Sequence, residues 1–99
     1  MVIKAHRLTS FWEKTRGLIG ARPVYPVYFE TRWGIHTFGV MTMIDVVILD
    51  DANIVVIIRQ SLKPNRIWVW PPVFYKVIEL PSGEVQKQKI RIGDKITLQ

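Results

Sequence analysis

Three features of the sequence predict an all-β fold, a compact β-barrel or sandwich with one short N-terminal helix. The first lies at 44–59, where the β-branched apolar runs Ile44-Asp45-Val46-Val47-Ile48-Leu49 and Ile54-Val55-Val56-Ile57-Ile58 flank Asp50-Asp51-Ala52-Asn53, the local signature of a hairpin. The second is a series of about seven short strand-forming segments separated by turn residues at short intervals. The third is that only one stretch carries a convincing helix start. Both hairpin runs are apolar on both faces, which places them in the middle of the fold with side chains buried above and below. Each buried aliphatic side chain contributes ~1.5–3 kcal/mol, so this hairpin supplies much of the folding energy. Asp45 is the one charge inside it.

In chain order, Met1 to Ala5 reads as a short leading strand. Ser10-Phe11-Trp12-Glu13 fits a capping box, in which the serine oxygen takes a free amide and Glu13 reaches back to the cap. The helix it opens runs to about Leu18, with Gly17 and Gly20 available to end it and Pro23 forbidding its continuation. Val24 to Phe29 has strand composition, but Pro26 has no N–H for a ladder, which predicts an edge or a bulge. Trp33 to Phe38 forms a further strand. Asp51-Ala52-Asn53 suits a three-residue hairpin loop with Asn53 in the left-handed region. That loop pairs Asp50 with Ile54 and, counting outward, Asp45 with Arg59, a cross-strand ion pair at the open end of the hairpin. Ser61 to Arg66 is a polar loop. Ile67-Trp68-Val69-Trp70 alternates, so Trp68 and Trp70 share a face, and Pro71-Pro72 stops the strand. Val73 to Leu80 is the next strand, Pro81-Ser82-Gly83-Glu84 a turn, and Gly93-Asp94 turns into a last strand, Lys95 to Leu98.

The 99 residues make one domain, 1–99, and 48% hydrophobic content is ample for one core. The absence of cysteine excludes a disulfide framework, a thiolate zinc site and a cysteine nucleophile. His6, Arg7, Glu13, Lys14 and Arg16 interrupt the first twenty positions, so neither a signal-peptide core nor a membrane span is expected, and the cytoplasm is the expected location. The net charge of +6 suggests nucleic acid or an anionic membrane surface, but without a basic cluster the better reading is solvated surface charge. A small ligand or a protein is therefore favoured as partner over nucleic acid. No cofactor is expected, and no metal, because His6 and His36 lack tight ligand spacing.

Several short motifs fall in one order: Arg16-Gly17-Leu18-Ile19-Gly20, Ile35-His36-Thr37-Phe38, Ile44-Asp45-Val46-Val47-Ile48-Leu49-Asp50, Pro64-Asn65-Arg66, Val77-Ile78-Glu79-Leu80-Pro81-Ser82-Gly83 and Gly93-Asp94. Together, from Thr9 to Leu98, they resemble the family called domain of unknown function 192. The resemblance implies a compact β-barrel or sandwich with a short helix near its start, and it carries no established activity. Where the His-Thr branch of that family has a methionine four positions after the histidine, this chain has Val40.

His36, Thr37 and Asp45 are the candidate catalytic set, an imidazole, a hydroxyl and a carboxylate, in which His36 acts as a general base oriented by Asp45 in a hydrolase-like reaction. Against it stands the ordinary role of such groups as hydrogen-bonded parts of a β-fold. Arg16 and Arg22, beside Gly17 and Gly20, are candidates for holding an anion. Glu79 either lines a pocket or points outward from its strand. Trp68 and Trp70 with Lys63 and Arg66 are the aromatic and basic mixture of a stacking platform for single-stranded nucleic acid or sugar rings, provided that the shared tryptophan face is exposed. Leu80-Pro81-Ser82-Gly83 lacks the glycine that a nucleophile elbow needs two residues before its serine. The leading reading is a binding or accessory module without catalysis.

Overall fold

The computed structural model describes residues 1–7, 25–32, 34–38 and 40–99. Among the described residues nine strands and one short helix follow in order: β1 (Val2–Ile3), β2 (His6–Arg7), β3 (Val27–Glu30), β4 (Gly34–His36), β5 (Ile44–Leu49), β6 (Val55–Leu62), β7 (Ile67–Val69), β8 (Lys76–Pro81), α1 (Glu84–Lys87) and β9 (Thr97–Leu98). The fold is all-β, as the sequence predicts. The described strands do not close into a barrel. They form one five-stranded sheet, β2-β3-β8-β5-β6, and two two-stranded ribbons, β1-β9 and β4-β7. No described helix is long and apolar enough to cross a membrane. The capping box at Ser10 and the helix to Leu18 lie outside the described residues.

Alternation along the central strands divides the core between the two faces of the sheet. Ile44, Val46 and Ile48 of β5 and Val77 of β8 pack under the β4–β7 ribbon with Val27, Phe29, Leu62 and Trp70, joined by the half-buried Ile35 and Trp68. Val47, Leu49, Ile78 and Leu80 point to the other face, where Ile3 of β1, Val85 of α1, Ile90 and Ile96 cover them. Every residue of β5 is buried, which accounts for its apolar composition on both faces, Asp45 excepted. The second hairpin run differs from expectation: β6 is an edge strand, and three of its eight residues, Arg59 to Ser61, are exposed. Its free side is managed by bulges and, at the start, by the 93–96 segment, with the Gly93 N–H donating to Val55 O (2.8 Å) and the Val55 N–H to Asp94 O (2.9 Å). β3 in turn is interior, between β2 and β8; Pro26 lies just before its paired residues, where its missing N–H removes no β3–β8 ladder bond, and its carbonyl accepts the His6 N–H (2.8 Å).

The hairpin loop has the predicted form. The Asp50 N–H donates to Ile54 O (2.9 Å), Asn53 has φ 62°, and Asp50 Oδ1 accepts the N–H groups of Ala52 and Ile54 (both 2.9 Å). The register beyond it does not follow the count from the loop. One bulge at Val56 and another before Leu62 shift the ladder, so Arg59 stands opposite Val46, and Ile44 opposite Leu62. Asp45 and Arg59 therefore lie on opposite faces of the sheet, and the predicted cross-strand ion pair is overturned.

Candidate functional site

The bulge at Val56 separates Asp45 from Arg59, and the second bulge, before Leu62, creates the site. Ser61, in this second bulge, has φ 55°, a conformation that non-glycine residues seldom adopt. Its N–H donates to Asp45 Oδ1 (2.9 Å). The other carboxylate oxygen, Oδ2, accepts the N–H groups of Gly83 (3.0 Å), itself left-handed at φ 93°, and Val85 (3.1 Å). Asp45, 1% exposed, thus joins β6 to the start of α1. Its role is to satisfy backbone donors that the bulge and the turn leave open.

Thr37 performs a similar task on the far side of the sheet. Its hydroxyl donates to Lys63 O (2.7 Å) and accepts the Arg66 N–H (2.8 Å), while its own N–H donates to Arg66 O (2.8 Å) and its carbonyl accepts the Asn65 N–H (3.1 Å). The 63–66 turn is fixed against β4 by these bonds. His36 points away from them into solvent, its ring stacked on Phe38 with centroids 5.3 Å apart. The three candidate catalytic residues are therefore dispersed. Asp45 lies on the α1 face of the main sheet, whereas His36 lies on the outer face of the ribbon covering the opposite side, and the sheet stands between them.

With the turn held by Thr37 and β6 bent at Ser61, a cleft of about 280 Å³ opens between them, lined by Arg59, Ser61, Leu62, Lys63, Arg66, Ile67 and Trp68. Three cations converge on a partly apolar floor, and the lining contains no acidic residue. Among the described residues the single ion pair is Lys87 with Glu84 (3.7 Å), so the three cations have no described carboxylate as partner. Among the described residues, the Arg66 guanidinium makes only long bonds to its own turn, from Nη1 to Asn65 O (3.3 Å) and Pro64 O (3.4 Å). The predicted candidates Arg66 and Trp68 meet here, with Lys63. Sequence reasoning gave Arg59 to the ion pair and missed it here, because only the bulge at Val56 turns it to this face.

The remaining candidates lie elsewhere. Trp70 is 5% exposed, and its indole N–H donates to Phe74 O (2.8 Å); its ring lies 5.4 Å from that of Trp68, which packs against the same core. The shared tryptophan face is the core face, so the exposed stacking platform is overturned. Glu79 does not point outward. It sits on β8 between Val27 and Val46, 7% exposed on the core face under the ribbon, and burial pushes its carboxyl up to about 7. Arg16 and Arg22 lie outside the described residues. No three His, Asp or Glu side chains converge among the described residues.

No protein-family model matches the chain. It is 37% identical over 93 residues to the UPF0127 protein PH1112 of Pyrococcus horikoshii, an alignment spanning 88% of this chain and 80% of that one. It is 37% identical over 75 residues to the UPF0127 protein PYRAB11210 of Pyrococcus abyssi, spanning 74% of this chain and 63% of that one. Neither name carries an activity. Two crystal structures share the fold. A Novosphingobium aromaticivorans protein of unknown function superposes with a TM-score of 0.76 at 16% identity, over 95% of this chain and 71% of that one. A Sinorhizobium meliloti protein described as a candidate transcription regulator superposes with a TM-score of 0.74 at 20% identity, over 95% of this chain and 78% of that one. With the identity and coverage it shares with the Pyrococcus horikoshii protein, the chain belongs to the UPF0127 family.

Proposed function

We infer that this protein is a small binding module, one domain without a catalytic centre, whose cleft between β6, the 63–66 turn and β7 takes an anionic ligand. The motif order from Arg16 to Asp94 also supports placing it in the domain of unknown function 192 family. One observation carries the reading: Arg59, Lys63 and Arg66 share a concave, partly apolar site with no acidic lining residue. Like charges gathered in a cleft repel one another, and an anion bound among them relieves that repulsion while taking charge-assisted hydrogen bonds from the two guanidinium forks. The turn that presents Lys63 and Arg66 is held by Thr37, so little ordering is required on binding. A hydrolase using His36 and Asp45 has less support, since the carboxylate already accepts three backbone N–H groups and the imidazole stands on another layer.

Titration with inorganic phosphate, followed by amide chemical shifts, tests the reading. Saturable shifts are expected at Ser61 and Arg66, weakening as salt is raised. Lys63→Gln combined with Arg66→Gln should abolish them. Shifts scattered over the whole surface, or unaltered in the double variant, would remove the cleft as a site.

A further inference from the structure

We propose that the outer face of the β4–β7 ribbon docks on an anionic phospholipid surface, its apolar side chains entering the interface while the cations of the adjoining cleft take the lipid phosphates. The proposal rests on the anion-binding reading of that cleft and names the source of the anion.

The alternation in β7 buries Trp68 against the core and turns Ile67 and Val69 outward, where they are 69% and 66% exposed. The cross-strand register sets His36 beside Ile67 and Gly34 beside Val69 on that same outer face. Gly34 has no side chain to screen its neighbour, and Phe38, 47% exposed, stacks on His36. Phe38, His36, Ile67 and Val69 thus form one continuous surface. Single exposed apolar residues are ordinary on a protein, but a contiguous set on one ribbon marks an interaction face. Ile67 also lines the cleft, so this face passes directly into Lys63 and Arg66.

Shape and charge together select the partner. β-Branched side chains that are two-thirds exposed protrude from their ribbon, which suits a deformable surface into which they sink. A second copy of the chain fits poorly, because pairing this face with itself would bring two basic clefts together between molecules of net charge +6. An anionic bilayer offers both halves of the match: an apolar interior for Ile67, Val69 and Phe38, and phosphates attracting the flanking cations.

Co-sedimentation of the whole chain with vesicles tests this, comparing phosphatidylcholine alone with phosphatidylcholine mixed with phosphatidylglycerol. Wild-type protein is expected on the anionic vesicles only. Phe38→Ser with Val69→Ser, neither of which lines the cleft, should lower that affinity about tenfold or more. The same variant should keep the phosphate-induced shifts at Ser61 and Arg66, which also reports that it is folded. Vesicle binding unchanged in the double variant, or absent from wild-type protein whose cleft still responds to phosphate, would overturn the lipid proposal and leave the cleft reading intact. Loss of the phosphate response in wild-type protein would overturn both. Binding to polyglutamate through Phe38 and Val69, without binding to anionic vesicles, would reassign the face to an acidic protein partner and overturn the proposal.

Discussion

Asp45 is held by amides rather than by a cation, through one N–H from β6 and two from the segment entering α1. A hydrogen bond to a buried charged group contributes about 1.5–3 kcal/mol, and an amide put in place of the carboxylate presents a donor to a donor. Asp45→Asn should therefore cost about 3 kcal/mol, measured as a lower urea midpoint at unchanged slope. Arg59→Gln, on an exposed position across the sheet, should cost less than about 0.5 kcal/mol and add to Asp45→Asn without coupling. That contrast is the opposite of what an Asp45–Arg59 pair would give. The sequence marks Asp45 as a buried charge needing partners, because it interrupts a run of β-branched residues. It conceals which partners, since a bulge depends on backbone conformation at Ser61 and leaves no trace in composition. Thr37 is hidden for the same reason: its three partners on the 63–66 turn are backbone groups, and any sequence there would supply them.

The strands are legible where composition determines them, as in β5, and illegible where the neighbour determines them. Pro26 suggests an edge, yet the proline sits one residue before β3 and the strand is interior. α1 is four residues long with one buried side chain, Val85, too short for a hydrophobic period to appear in the sequence. Gly34 is the position where an element depends on one missing atom. A Cβ there would collide with the Trp68 carbonyl oxygen and come within 2.9 Å of Val69 Cα, so β4 and β7 lie closer than any other residue permits. Gly34→Ala should push the ribbon off its register and cost about 1–3 kcal/mol. A lowered thermal midpoint together with red-shifted tryptophan emission, as water reaches Trp68 and Trp70, would register it. An alanine variant as stable as the parent would show that the ribbon tolerates separation.

For the molecule as a whole, Glu79 sets a dependence of stability on pH that net charge does not reveal. Its carboxyl rises from 4.5 to about 7 on burial, so within that window the folded protein retains a proton that the unfolded chain releases. The contribution is complete below the unfolded value, falls as pH rises, and is lost above about 7, a penalty of up to about 3 kcal/mol. Glu79→Gln should abolish that slope and leave the protein more stable than wild type at pH above 7, as urea unfolding across the window would measure. Of the candidate site, the sequence supplies Lys63, Arg66 and Trp68 as a mixture of types but not their enclosure, because the concavity depends on Ser61, Arg59 and a turn fastened from β4. The order of the main sheet has a further consequence, in time rather than in space. β8 lies between β3 and β5, although β6 and β7 precede it in the chain. A nascent chain that has made β3 and β5 cannot join them until β8 emerges, and at ~5–20 residues per second that delay leaves two apolar strand edges without partners for a second or more. The strand that completes the sheet is made after β5, β6 and β7, so the sheet is most exposed to aggregation while it waits for β8.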